Sequence, residues 1–267
     1  LLDPLGNILD EDIALDDTPF LVTTGPVQVV VSMVTCSVEP CFYALGVFQV
    51  DDSSPREIAA QDPTSGEVVT GQTLEVLRSR AEQGLDSAQY NLAVIYRDGI
   101  GVPENAAEAV RWFRLAAEQE LAPAQYNLGV LYADGTGVSE DDAEAVRWFR
   151  LAAEQGYAYA QYNLGVMYDD GTGVSEDDAE AVRWFRLAAE QGDAEAQNNL
   201  GVMYANGLGV RPDFVLAHMW SDLAAAQGFE LAQENKDLFE QRMTREQIAE
   251  AQRLSREWIA AHPGIGN

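Results

Sequence analysis

Between residues 73 and 232 apolar side chains recur with a helical period, and glycines break the pattern at regular intervals. Ala124, Leu128, Leu131 and Tyr132 stand at i, i+4, i+7 and i+8, which places them on one face of a helix. Gly135 follows at the position of a left-handed C-cap, and Gly137 lets the loop turn back. Asp141 then supplies an N-cap, as do Asn105, Asp177 and Asp213 at matching places. Ala145, Trp148, Phe149 and Ala152 form the apolar face of a second helix, which ends at Gly156. The whole block of 36 residues recurs, so the chain is a stacked array of helix pairs. One such pair cannot bury its own apolar face, and its neighbours complete the core.

Two features test this register. Glu120 stands where the other units have Gly84, Gly156, Gly192 and Gly228. A positive φ is expected there, at a cost of roughly 1–2 kcal/mol for a residue bearing Cβ. The blocks starting at Leu121 and Tyr157 differ at four positions only: Leu121/Tyr157, Pro123/Tyr159, Leu131/Met167 and Ala133/Asp169. Such similarity suggests recent internal duplication. Leu74, Leu77 and Ala81 predict a helix that opens the stack. Thr244 and Gln247 form a capping-box pattern for a closing helix whose stripe is Ile248, Ala251, Leu254 and Trp258.

The residues Ala160, Leu164, Gly165, Tyr168, Gly171, Gly173 and Val174, then Ala181, Trp184, Ala188, Ala189 and Gly192, carry a family resemblance. They resemble the Sel1-like repeat, a relative of the tetratricopeptide repeat, in its bacterial form. The match runs from about Thr73 to Ala232. The resemblance implies an all-α, right-handed superhelical solenoid of antiparallel helix pairs that acts as an adaptor, with first helices lining its concave side. The expected organisation is an N-terminal extension and linker over residues 1–70, partly disordered or a small β-hairpin, followed by a capped repeat array over 71–267.

In the extension, Val27–Val38 and Cys41–Val50 read as two strands around Glu39 and Pro40, which would bring Cys36 and Cys41 close enough to bridge. Two free thiols are the alternative. No positive segment precedes this stretch as in a secretory signal, and Gln28, Glu39, Pro40 and Gln49 interrupt it as a membrane span. Stable membrane insertion is therefore not expected. The compartment is left open, a periplasmic or secreted location leading if a signal peptide has been removed.

Charge narrows the partners. The 267 residues contain 44 acidic and 16 basic side chains, a net charge of −28. Such a surface repels phosphate backbones, which excludes nucleic acid and favours protein or peptide partners, basic ones included. Solubility alone is the leading account of the charge, ahead of a charge-selected partner.

No nucleophile elbow, zincin motif or Walker loop is present, and the two histidines, His218 and His262, lie apart from the two cysteines. No cofactor, metal or catalytic residue is expected. The acids of the loop Asp169–Asp178 lack EF-hand spacing and read as helix caps. A hydrolase acting on cell-wall or β-lactam substrates, a label some members of the family carry, is the alternative function. Those relatives are cysteine-rich within each repeat, and here no repeat contains a cysteine. A purely structural spacer is the third reading.

The exposed faces are the better candidates. On the first helices Tyr90, Tyr126, Tyr162 and Asn198 precede Val94, Val130, Val166 and Val202, with Asn91, Asn127, Asn163 and Asn199 alongside. Rigid aromatic area beside amides suits an extended peptide. Lateral packing between neighbouring first helices is the competing account. On the second helices Arg114/Glu118, Arg150/Glu154 and Arg186/Glu190 are placed to form i,i+4 ion pairs, beside Arg111, Arg147 and Arg183.

Overall fold

A computed structural model describes residues 71–263 and four short strands, β1 (Phe20–Thr23), β2 (Gln28–Val31), β3 (Ala60–Gln61) and β4 (Val68–Val69). The chain forms two compact units, Leu1–Arg56 and Glu57–Asn267. In the first, β1 and β2 pair antiparallel, with Phe20 opposite Val31 and Thr23 opposite Gln28. β2 lies within the expected strand Val27–Val38, but its observed partner is the upstream Phe20–Thr23. The sequence offers Gly25 and Pro26 between the two, a turn signal as good as Glu39 and Pro40. Cys41–Val50 and both cysteines lie outside the described residues.

The second unit opens with the β3–β4 pair and continues as eleven helices among the described residues. α1 (Gly71–Glu82) starts the stack. Four pairs follow: α2 (Asp86–Asp98) with α3 (Ala106–Ala117), and α4 (Ala122–Asp134) with α5 (Asp142–Glu154). The last two pairs are α6 (Ala158–Asp170) with α7 (Asp178–Glu190), and α8 (Ala194–Asn206) with α9 (Phe214–Ala226). α10 (Glu230–Glu240) and α11 (Arg245–Ala261) close it.

Helix starts follow two rules. α3, α5, α7 and α9 emerge from the long loops, and each has a side-chain cap: Asn105, Asp141, Asp177 and Asp213 accept from backbone N–H groups of the first turn. α4 and α6 emerge from tight turns and begin at Leu121 and Tyr157 without a side-chain cap. Thr244 and Gln247 form the capping box expected at α11.

Glu120 has φ 66° and is the one non-glycine residue with positive φ among those described. In the loop after α6, Gly173 has φ +69°, and a Cβ there would collide with the Asp142 carbonyl oxygen. The second glycine of the loop therefore serves close approach to the preceding repeat as well as the turn.

Packing within a pair is a ring against a backbone. A Cβ on Gly165 would come within 2.7 Å of the Phe185 ring, and Gly129 meets Phe149 in the same way. Phe185 is fully buried, a contribution of about 1.5–3 kcal/mol. Trp184 reaches across to the preceding pair and joins the cluster of Ala145, Phe149, Leu164 and Met167.

A glutamine relay, absent from the reading of the sequence, ties successive pairs together. Buried Gln125, Gln161 and Gln197 donate to the carbonyls of Ala117, Ala153 and Ala189 at 3.1 Å. Each accepts in turn from a glutamine 30 residues later, Gln155, Gln191 or Gln227, at 2.7–2.9 Å. Gln89 does the same with Ala81 and Gln119.

Candidate functional site

On the second helices the expected i,i+4 ion pairs do not form. Arg114, Arg150 and Arg186 instead donate to the hydroxyls of Tyr132, Tyr168 and Tyr204, at 2.6, 2.6 and 2.8 Å. Each tyrosine is partly or fully buried with its hydroxyl at the rim, so the nearby arginine satisfies a group otherwise lost to solvent. Arg111, Arg147 and Arg183 bond one turn back, to Glu108, Glu144 and Glu180, and lie over Trp112, Trp148 and Trp184 at 4.1–4.7 Å. This face neutralises itself and offers no ridge of unpaired cations.

The first-helix face is less uniform than its sequence. Tyr90, Asn91 and Val94 on α2 are buried, as is Asn198 on α8, and these four present no open surface. Tyr90 sits edge-on to Phe113 at 5.6 Å. Asn198 accepts from Asn235 of α10 at 2.8 Å, so the closing helices cover that end. Tyr126, Val130, Tyr162, Val166, Val202, Asn127, Asn163 and Asn199 are half-buried. The stripe is thus divided: its ends are core and its middle reaches solvent.

The amides are mostly engaged. Asn127 donates to the Pro123 carbonyl and accepts from Arg97 at 2.6 Å, while Arg97 also bonds Asp98. Asn163 and Asn199 of the next first helix lie beside the hydroxyls of Tyr126 and Tyr162, and Glu195 lies beside that of Tyr162 as well.

Residues from the turns add what the reading of the stripe missed. Tyr126 lies 5.3 Å from Tyr157 and 6.0 Å from Tyr159, and these two are 5.8 Å apart. Tyr159 is 49% exposed. One repeat later, Asp193 and Glu195 take the places of Tyr157 and Tyr159 and act on Tyr162. Burial first, then Glu195 and Asp193, push the Tyr162 phenol up to about 12. Tyr126 is raised as well, mainly by burial. Burial also raises Asp193, against the Ala196 N–H that it caps. Asp169, on the same side of α6, is raised by burial and then by Asp170 and Asp178. The signal for Tyr157 and Tyr159 was the short set of differences between the two near-identical repeats.

His218 is completely buried on α9, its Nε2 2.9 Å from Glu240, and links α9 to α10. His262 stacks on Trp258 at 4.3 Å. Asp177 is spent capping α7. Among the described residues no group of three or more His, Cys, Asp or Glu is placed to hold a metal, and no helix is long and apolar enough to cross a membrane.

Comparison with known proteins agrees with the architecture. The family model described as Sel1 repeat matches residues 86–121, 122–157, 158–193 and 194–229, one helix pair each. A Sel1 repeat protein from Oxalobacter formigenes is 34% identical over 71% of this chain and 75% of its own, at TM-score 0.58. A protective antigen of uropathogenic Escherichia coli strains, displaying an SLR fold, is 33% identical at TM-score 0.49; it matches 71% of this chain, which spans 48% of the antigen. No curated protein is significantly similar. The repeat array is an all-α, right-handed superhelical solenoid. With four matched repeats in register with its four helix pairs, the chain belongs to the Sel1 repeat family.

Proposed function

We propose that this chain is a non-enzymatic adaptor that binds a protein or peptide partner on the concave, first-helix face of its array. Sel1 repeat proteins generally mediate protein–protein interaction, and the first helices line the inner side of such a superhelix. The observation that carries the reading is the half-open aromatic surface of Tyr126, Tyr157, Tyr159 and Tyr162. Tyrosine supplies large rigid contact area at low entropic cost, and the rings of Tyr126, Tyr157 and Tyr159 are pre-ordered by one another. The second-helix face lacks such a surface, since its arginines are taken up by glutamates of their own turn or by tyrosines of the next repeat. The array over 71–267 is the binding module of this proposal, and residues 1–70 are an appended extension.

The test is site-specific photo-crosslinking in an extract of the source organism. A benzoylphenylalanine replacing Tyr159 should capture a discrete protein partner, whereas one replacing Leu151 on the second-helix face should not. Capture through Leu151 alone overturns the assignment.

A further inference from the structure

We propose that the tyrosine cluster on the first-helix face, together with Asp193 and Glu195, is a receptor for an arginine side chain of an extended basic segment. The proposal rests on the adaptor reading and adds the chemistry of the occupant. Three observations support it.

The first is the geometry of the rings. Tyr126, Tyr157 and Tyr159 touch edge and face at 5.3–6.0 Å and leave the Tyr159 ring half open to solvent. A planar guanidinium stacks on such a face, gaining both the ring quadrupole and contact area; an ammonium gains less from stacking.

The second is the charge beside them. Every glutamate that opens a second helix, Glu108, Glu144 and Glu180, is bonded to an arginine of its own turn. Asp193 and Glu195 have no ion-pair partner among the described residues. Both act on Tyr126 and Tyr162, so they share the field of the ring cluster. Arg97, the arginine that reaches this face, lies on α2 and is held by Asp98 and Asn127. The middle of the face is therefore aromatic, negative and unneutralised, which is the complement of a cationic side chain.

The third is where the repeats diverge. Positions 121–156 and 157–192 are identical but for four residues. Leu131/Met167 exchanges one buried side chain for another, whereas Leu121/Tyr157 and Pro123/Tyr159 build the ring cluster on the solvent side. Asp193 and Glu195 are the same two positions one repeat further on. The equivalent helix starts without either tyrosine: Tyr157 is an N-cap residue making no side-chain cap where Leu121 stands one repeat earlier, and residue 159 is in the first turn, where proline is accepted at 123.

That equivalence supplies a variant expected to fold. Y157L/Y159P gives the third first helix the start already present on the second. The probe is a fluorescent octapeptide with two arginines, compared with its citrulline and lysine counterparts, measured by anisotropy on the full chain at low salt. The arginine peptide should bind at least about ten-fold more tightly than the citrulline peptide, and more tightly than the lysine one. Y157L/Y159P should weaken it about five-fold and erase the margin over lysine. E195Q should weaken it about as much, whereas E118Q, which removes an equal charge from exposed Glu118 at the end of α3, should change it less than about two-fold. Circular dichroism should be unchanged in all three variants. Equal binding of arginine and citrulline peptides overturns the proposal. So does an unaffected Y157L/Y159P, or an E118Q loss matching that of E195Q, which would mean a diffuse field. The adaptor reading fails separately: crosslinking through Tyr159 to a segment without arginine sinks only the arginine receptor, while crosslinking through Leu151 alone sinks the face itself.

Discussion

Gln161 is 3% exposed, and its orientation is set by its neighbours. The Ala153 carbonyl, 3.1 Å away, can only accept, so the amide nitrogen must face it. The side-chain oxygen is then left for Gln191, which donates at 2.7 Å. Q161E keeps the shape and replaces that donor with a carboxylate oxygen. At neutral pH the ionised side chain loses one buried hydrogen bond and sets a charge against a carbonyl dipole. The expected loss is about 3–5 kcal/mol, the range for an uncompensated buried charge. For an array of this size that lowers Tm by roughly 10 °C. The sign with pH follows from the protonated form, which restores the donor. The folded state therefore raises the pKa of the introduced carboxyl above its unfolded value of about 4.3. The penalty is absent below that value, grows as pH rises towards the folded pKa, and is complete above it. Q161L is the control: it loses both hydrogen bonds, costs about 2–3 kcal/mol, and shows no added pH dependence. The assay is unfolding followed at 222 nm from pH 4.5 to 8, each variant read as a difference from wild type at the same pH. A Q161E loss below about 0.5 kcal/mol at pH 7, or a loss that shrinks as pH rises, refutes the relay as a buried donor–acceptor chain.

Four further outcomes are expected. E120G should raise stability by about 0.5–1 kcal/mol, because it relieves a left-handed strain of roughly 1–2 kcal/mol and adds some unfolded-state entropy; differential scanning calorimetry decides, and an unchanged or lower Tm refutes it. G165A should cost about 1–2 kcal/mol by denaturant unfolding, the lower part of the overpacking range, because Ala93 already stands in the same place over Phe113. There Tyr90 and Phe113 meet at 63°, against 42° for Tyr162 and Phe185, so a crystal structure of G165A should show the latter pair opened. In absorbance titration at 295 nm the last phenol should ionise at about pH 12 and vanish in Y162F; since the folded pKa is the higher one, Tyr162 favours unfolding progressively above pH 10. Removing residues 1–70 should leave a cooperative helical transition in 71–267, and its loss would place part of the extension in the core.

The fold was legible because its signals repeat. Gly135, Asp141 and Gly156 each state a local rule, and the same rule 36 residues later removes the ambiguity of a single occurrence. Even the exception was readable: Glu120 occupies a glycine position and has the positive φ that position demands. The stripe was legible only to first order. Periodicity assigns Tyr90 and Tyr126 to the same face, but it does not say that Phe113 and the neighbouring helices close over one of them. Asn198 is covered by α10, which lies outside the repeat and has no counterpart in it. The arginines were misassigned for a related reason. Spacing along one helix offered Glu154 to Arg150, while the better acceptor, Tyr168, is 18 residues away on the next helix. Gln161 was passed over because a glutamine among apolar residues carries no helical period of its own.

The relation between repetition and function runs through the positions that break symmetry. An array of identical units would present the same chemistry at every step and could not fix where a partner sits along it. Here each step differs. The first-helix face begins with Arg97 tied to Asp98 and Asn127, continues through the rings of Tyr126, Tyr157 and Tyr159, and reaches Asp193 and Glu195. Of these, residues 157, 159, 193 and 195 occupy turns and first-turn positions, where the chain accepts leucine, proline, tyrosine, aspartate or glutamate from one repeat to the next. The residues that carry the packing are the glutamine relay, the small residue under each phenylalanine (Ala93, Gly129 or Gly165), and the tryptophan that reaches into the preceding pair. On the proposed adaptor reading, stability and recognition are therefore carried by separate sets of positions within one repeat. This is why two copies that agree at nearly every structural position still differ on the face where a partner would meet them.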